Sequence, residues 1–416
     1  MRKGSRVLAV ILCGLVGLSG MWLYRSGRFP FPFHRDTITV SRAESRVNAN
    51  QSPYTQVTQR GCYDSLPSDD CRRLYDAVDG VVDHITDAYE DGYYLLEAAE
   101  AEGTFTEEDL SAVVEAYRAD HPEKFWVVST YWYMLPDGGA WLQLASPIDS
   151  SMRDACEGLL DSAVAEILQK VPAGLSELDR EAAIFGLLAD RCTYQDDTTT
   201  DSGEQDWVPF TAYGALASGR AVCEGYARAM ELLCGKVGLS CRIVRGTADG
   251  VGHMWNLVRI DGAWYHFDAT GMDTGRHVAY FNVTDAVIAE DHTLDPVGAY
   301  GTRAFNLPLP AADATAANYF LARGVHIAAL DDDTAHAVAQ AMADAVAGGQ
   351  DVFALYIEEG LDFADTVEKL FQGGSYFLGD CVQRANTALD GEEQIDYAAI
   401  RYVPCESQRG VSVRLR

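Results

Sequence analysis

Apolar residues recur at helical spacing from position 71 onward. Leu74, Tyr75, Val78, Val81, Val82, Ile85, Ala88 and Tyr89 share one face, which predicts a helix over this stretch. A second helix opens at Thr106 and Asp109, which have the spacing of a capping box, and His121-Pro122 ends it. Its stripe is Leu110, Val113, Val114 and Tyr117. Residues 125–135 are aromatic and β-branched, Pro136 to Gly139 turn the chain, and 140–145 return as a second strand. Helices follow at 151–170 and, behind Ser176 and Asp179, from 177 to about 192. An acidic loop at 196–206 leads to Trp207. A helix is then predicted from Cys223, with strands at 252–260 and 263–270. Beyond 312 the pattern alternates, with helices at 332–347, 362–371 and 376–389 and strands at 352–357, 398–403 and 411–415. No repeat of fixed period is evident.

The pattern predicts an α+β body in three parts: a small N-terminal α+β module (70–148), a central domain (149–311) and a C-terminal α/β or α+β module (312–416). What precedes it differs. Arg2, Lys3 and Arg6 stand before an uncharged run, 7–24, and Arg25 and Arg28 follow it. As a helix this run spans about 27 Å, enough to cross a hydrocarbon core. Residues 1–28 therefore read as a membrane anchor or signal segment. An uncleaved anchor is favoured, because Leu18-Ser19-Gly20 lacks a small-x-small cleavage pattern. Residues 29–69 lack sustained periodicity and read as a stalk, which places the body outside the cytoplasm.

Charge narrows the role. Of 416 residues, 62 are acidic and 32 basic, a formal net charge of −30. Such a field repels phosphate backbones and no local basic patch offsets it, so a general nucleic-acid binder is excluded. Hydrophobic residues make up 48% of the chain, enough for a packed core and too many for a disordered one.

The chemistry gathers between 213 and 273. Cys223 follows the turn signal Ser218-Gly219 and opens a helix on which Ala227, Met230, Leu233 and Val237 share a face. There it meets the positive end of the helix dipole and unpaired N–H groups, both of which favour thiolate. Downstream, Asp261-Gly262 between two strand-like runs predicts a two-residue hairpin turn. Ile260 then lies opposite Ala263, Trp255 opposite Asp268 and His253 opposite Thr270. His253 and Asp268 become diagonal neighbours on one face, about 7–8 Å apart along the backbone and within reach of a hydrogen bond. A slip of one residue would put them on opposite faces. A thiol nucleophile needs a base against its sulfur and a third group to hold the imidazole, and Cys223, His253 and Asp268 are of those types. Taken singly, each of the three reads as readily as a structural residue. His266 falls on the same face and either contacts substrate or packs.

Together the motifs resemble the core of the transglutaminase-like superfamily, whose bacterial members carry Val-Cys-x-Gly-Tyr-Ala, His-x-Trp-Asn and Trp-Tyr-x-x-Asp-Ala-Thr in this order. Here they read Val222-Cys223-Glu224-Gly225-Tyr226-Ala227, His253-Met254-Trp255-Asn256 and Trp264-Tyr265-His266-Phe267-Asp268-Ala269-Thr270. The resemblance is specific over 207–273 and weaker over 180–194 and 120–127. It does not reach the stalk or the C-terminal module. It implies a papain-like α+β core with the nucleophile helix packed on an antiparallel sheet, and a triad of Cys223 as nucleophile, His253 as base and later acid, and Asp268 as orienter. The nucleophile would attack a peptide or glutamine carbonyl and form a thioester, which water or an amine resolves. The oxyanion needs donors, the backbone N–H of Cys223 and one side chain. Tyr213 and Trp207 are candidates by proximity, with aromatic lining of core or cleft as their other reading.

Eight cysteines besides Cys13 and Cys223 permit disulfides in an exported body, Cys62–Cys71 and Cys381–Cys405 being the most plausible pairs. No Cys-x-x-Cys or His-Glu-x-x-His spacing points to zinc, and Asp331 to Asp333 read as a charge run at a helix start, so neither metal nor cofactor is expected. The expected partner is a protein or peptide substrate associated with the cell envelope. Hydrolysis is favoured over crosslinking, because water is abundant and no amine-acceptor site is identifiable. The alternative is a cell-surface binding or scaffold protein with a vestigial triad.

Overall fold

The computed structural model describes residues 7–9, 52–199, 206–299, 305–371, 376–389 and 394–416. The N-terminal part contains β1 (Val7–Ala9), α1 (Gly61–Asp64), α2 (Asp69–Val81), β2 (Ile85–Glu90), β3 (Tyr93–Leu96), β4 (Ala99–Glu102), α3 (Glu107–Asp120), β5 (Tyr131–Met134) and β6 (Gly139–Ser146). Its sheet runs β1-β5-β6-β3-β2, with β4 also on β6. The capping box of α3 is made in full: Asp109 N donates to Thr106 Oγ1 (3.2 Å) and Thr106 N to Asp109 Oδ2 (2.8 Å). The helix expected to reach Tyr89 stops at Val81. Asp91 and Gly92 take positive φ (50° and 92°), the geometry of a tight hairpin, and join Glu90 to Tyr93. That turn draws Ile85–Glu90 into a sheet and overrides their helical spacing. The strand expected over 125–135 is confined to β5.

The anchor expected at 1–28 lies outside the described residues except for Val7–Ala9, which are paired with β5 as an edge strand rather than forming a helix. Among the described residues no helix is long and apolar enough to cross a membrane. The stalk expected at 29–69 is described from residue 52, and from there it is docked. Val57 N donates to Gly235 O (2.9 Å). The buried Gln59 side chain donates to Leu239 O and accepts from Cys241 N. Asp120 accepts from the N–H groups of Cys62 and Tyr63. A polar sequence without periodicity is held here by hydrogen bonds from its own amide groups, a signal that hydrophobic spacing does not carry.

The central part contains α4 (Ser150–Lys170), α5 (Glu177–Ala189), β7 (Thr193–Tyr194), β8 (Arg220–Ala221), α6 (Cys223–Lys236), β9 (Cys241–Ala248), β10 (Val251–Ile260), β11 (Ala263–Phe267), α7 (Ala269–Gly275), β12 (Phe281–Val283), α8 (Asp285–Ile288) and β13 (His292–Leu294). Asp261 and Gly262 both take positive φ (49° and 87°), and β10 pairs with β11 from Ile260↔Ala263 to Asn256↔Phe267, the register the turn predicts. The antiparallel sheet runs β12-β11-β10-β9-β13. One face buries Val258, Ile260, Tyr265 and Phe267 in a core shared with Tyr226, Met230 and Leu233 of α6. The other buries Trp255 and Leu257 with Val244, Val283 and Ile288. Asn256 Nδ2 donates to Ala227 O (2.9 Å), tying β10 to α6. This is an α+β core with a helix packed on an antiparallel sheet, as expected. The N-terminal part contributes to the same hydrophobic cluster.

The C-terminal part contains α9 (Tyr319–Arg323), β14 (Val325–Ile327), α10 (Asp332–Ala347), β15 (Val352–Ile357), α11 (Phe363–Phe371), α12 (Tyr376–Ala388), β16 (Arg401–Cys405) and β17 (Gly410–Arg414). Its sheet runs β14-β15-β17-β16, parallel only between β14 and β15, over a core of its own. It braces the chain just after α7: Arg276 pairs with Asp351, Val278 N donates to Ser412 Oγ and Gln408 Nε2 donates to Ala279 O.

All nine described cysteines are free thiols, so neither Cys62–Cys71 nor Cys381–Cys405 is bridged. The Cys71 sulfur instead contacts Ser68 Oγ (3.1 Å) and Asp109 Oδ1 (3.4 Å).

Glu181 in α5 is fully buried and receives one bond, from Asn282 Nδ2 (2.6 Å). Burial pushes its carboxyl up to about 8. The folded chain thus holds this proton more tightly than the unfolded chain, and stability falls as pH rises from about 4.5 towards 8, by an amount on the order of a few kcal/mol. Glu181→Gln is expected to remove that slope. Thermal unfolding of the two proteins between pH 5 and 9 checks it, with the variant the more stable at the alkaline end.

Candidate active site

Cys223 is the first residue of α6, and Val222 before it offers no side-chain cap. The first-turn N–H groups are therefore not satisfied by a capping oxygen, and the positive end of the helix lies at the sulfur. Gly225 allows this placement. A Cβ there would run into Pro209 O and stand 2.7 Å from the Ala221 Cβ.

His253 lies on β10 opposite Gly246 of β9. Its Nε2 is 3.0 Å from Asp268 Oδ2, and the Cys223 side chain is close enough to act on the charge of the ring. Burial works against the imidazolium, but the bonds and charges of Asp268 and Cys223 outweigh it and push His253 up to about 10. The strand expected to run to Thr270 ends at Phe267, because Asp268 caps α7 instead. Its oxygens divide their work. Oδ1 accepts from Thr270 N (3.0 Å) and Gly271 N (3.1 Å), while Oδ2 faces the imidazole. Burial opposes its ionisation, yet the bond from His253, the neighbouring His292 imidazole and the N–H of Gly271 hold the carboxyl well below the usual carboxylate range.

The rings of Trp207 and Tyr213 stack with Phe125 (centroids 6.3 and 5.0 Å). No hydrogen bond or ring contact joins either to Cys223 or His253 among the described residues, so of their two readings the aromatic lining is the one the packing carries. His266 lies on the face its register requires, with both nitrogens taken by Trp255 Nε1 (2.9 Å) and Asp285 Oδ1 (2.8 Å).

Two residues escaped the sequence reading. Tyr194 lies close enough that burial, and then the charges of Cys223, Asp196 and Asp268, push its phenol up to about 12. His292 on β13 is buried, with Nδ1 2.5 Å from Asp291 Oδ1 and Nε2 3.5 Å from Asp268 Oδ2. Burial lowers its proton affinity, but the two carboxylates raise it further, and the net shift is upward. No motif spacing marks His292, because it arrives through a three-residue strand paired to β9. His253, Asp268 and His292 line one side of a cleft of about 890 Å³ with Tyr194, Asp249 and Tyr280. Their ligand atoms lie within 4.8 Å of one another, so these three could hold a metal ion.

A cysteine at a helix tip stands near a histidine that is bonded to a buried carboxylate, the residue types a thiol nucleophile needs. Residues 164–269 match the family model of the transglutaminase-like superfamily, and the chain carries a core of that superfamily. It is similar to kyphoscoliosis peptidase of Homo sapiens, 28% identical over 123 residues, covering 27% of this chain and 18% of the relative. To the Mus musculus protein of that name it is 26% identical over 178 residues, covering 37% and 26%. The chain thus matches about a quarter or less of these relatives' length. A solved structure described as a TGase is similar at a TM-score of 0.22 and 14% identity, covering 42% of this chain and 50% of that one.

Proposed function

We propose that the chain is a thiol enzyme that opens peptide or glutamine carbonyls through a thioester on Cys223 and resolves it with water. The observation that supports this reading most is the bond of His253 to the buried Asp268, with Cys223 at the start of α6 close enough to act on the imidazole. The imidazole takes the thiol proton and the sulfur attacks the carbonyl carbon. The oxyanion forms against the backbone N–H of Cys223. His253 then gives its proton to the departing amine, the C–N bond breaks and a thioester remains. A water that passes a proton to His253 attacks the thioester, the acid leaves and the thiol is restored. The open cleft beside the imidazole admits water, which favours hydrolysis over transfer to an amine. Arg2, Lys3 and Arg6 ahead of the apolar run 7–24 support action outside the cytoplasm, although Arg25 and Arg28 behind it reduce the asymmetry, and protease shaving of intact cells tests the placement.

The test is acid quenching during turnover of a peptide library, followed by intact-mass analysis. An acyl adduct on Cys223 that water clears is expected. Its absence would support the scaffold reading, and products joined to a supplied amine tracer would replace hydrolysis by transfer.

A further inference from the structure

We propose that His253, Asp268 and His292 form a binding site for a zinc-class divalent cation whose occupancy switches the thiol chemistry off. The switching rests on the function proposed above; the binding does not. Nε2 of His253 and Nε2 of His292 stand 3.0 and 3.5 Å from the same oxygen, Asp268 Oδ2. Zinc bonds of about 2.0–2.1 Å set tetrahedral ligand–ligand edges of about 3.3 Å, so two edges of such a site are already in place. Two imidazoles and one carboxylate are a donor set that suits zinc better than magnesium or calcium.

The groups behind the ligands point the same way. Asp291 Oδ1 holds Nδ1 of His292 (2.5 Å), and the Tyr280 hydroxyl donates to Asp291 Oδ2 (2.5 Å). A carboxylate on the far nitrogen is the support that orients a metal-binding histidine and directs its Nε2 lone pair to an ion. That Nε2 is buried and has no hydrogen-bond partner within bonding geometry among the described residues, its contact with Asp268 being long. Asp268 Oδ1 is occupied by Thr270 and Gly271 N–H, which leaves Oδ2 to coordinate. All three residues line the cleft, through which the ion enters and which supplies water as fourth ligand.

Binding releases the Nε2 protons of the imidazoles to solvent and puts a metal bond where the His253–Asp268 hydrogen bond was. His253 can then no longer carry the proton of the reaction, although Cys223 is not itself a ligand.

The test starts from full-length Cys223→Ala, which has neither turnover nor the active-site sulfur, titrated with zinc by calorimetry. One ion per chain is expected, and adding His292→Ala or His292→Gln is expected to weaken binding by about 100-fold or more. Cobalt bound to the same chain is expected to show no sulfur charge-transfer band. Equal affinity in all three proteins, or a sulfur band, would overturn the site. A zinc-dependent rise in unfolding temperature that both His292 variants lack shows that folded protein is being compared. In the unsubstituted chain, turnover is expected to fall at the zinc concentration that fills the site and to return with chelator. Filling without inhibition would overturn the switch, whereas a chain with no turnover in metal-free buffer would count against the enzyme reading and leave the site to the binding data.

Discussion

Cys223→Ala is expected to lower turnover of any accepted substrate by roughly four orders of magnitude or more while leaving the fold intact. The sulfur supplies the bond-forming electron pair, and nucleophile removal in units of this kind leaves only what binding and the oxyanion donors contribute. The side chain is partly exposed at the start of α6, near His253. Alanine favours the helix, so the unfolding temperature should hold within a few degrees. Steady-state kinetics beside thermal unfolding separates the two: a folded variant that keeps even a hundredth of the activity would place the nucleophile elsewhere.

Asp268→Asn is expected to cost about three to four orders of magnitude in kcat with little change in KM. The amide is nearly isosteric, and its oxygen can still accept from Thr270 and Gly271 N–H, so the start of α7 survives. The other atom, facing Nε2 of His253 at 3.0 Å, changes from a charged acceptor to a donor. The imidazolium loses its counter-charge and the ring loses the partner that orients it. Because Asp268 is fully buried, solvent cannot take its place. A fall confined to KM would contradict the orienting role.

The register of the ribbon was legible because Asp261-Gly262 admits one tight turn, which sets the pairing as far as Asn256 and Phe267; Asp268 follows as the cap of α7 and still reaches His253. The start of α6 was legible from a turn signal followed by a helical stripe. What was lost came from context. Asp91-Gly92 carries the same turn chemistry as Asp261-Gly262, yet the apolar spacing of residues 74–89 resembles a helix more than the short strands it joins. The strands β12 and β13 are three residues each, too short for any periodicity, and exist because β11 and β9 offer them edges. His292 rides on one of them and was invisible for that reason. Trp207 and Tyr213 were placed by closeness along the chain, which does not measure direction; their rings turn to Phe125. The segment 52–69 looked like stalk because its anchorage is polar, through Gln59 and Asp120.

Competitive alkylation with iodoacetamide at neutral pH, read by peptide mass spectrometry over all nine described cysteines, tests the central claim most directly. Cys223 is expected to react first, by at least about tenfold over the buried thiols, and His253→Ala to slow it to their level. Uniform labelling that appears only at alkaline pH, unchanged by His253→Ala, would contradict it.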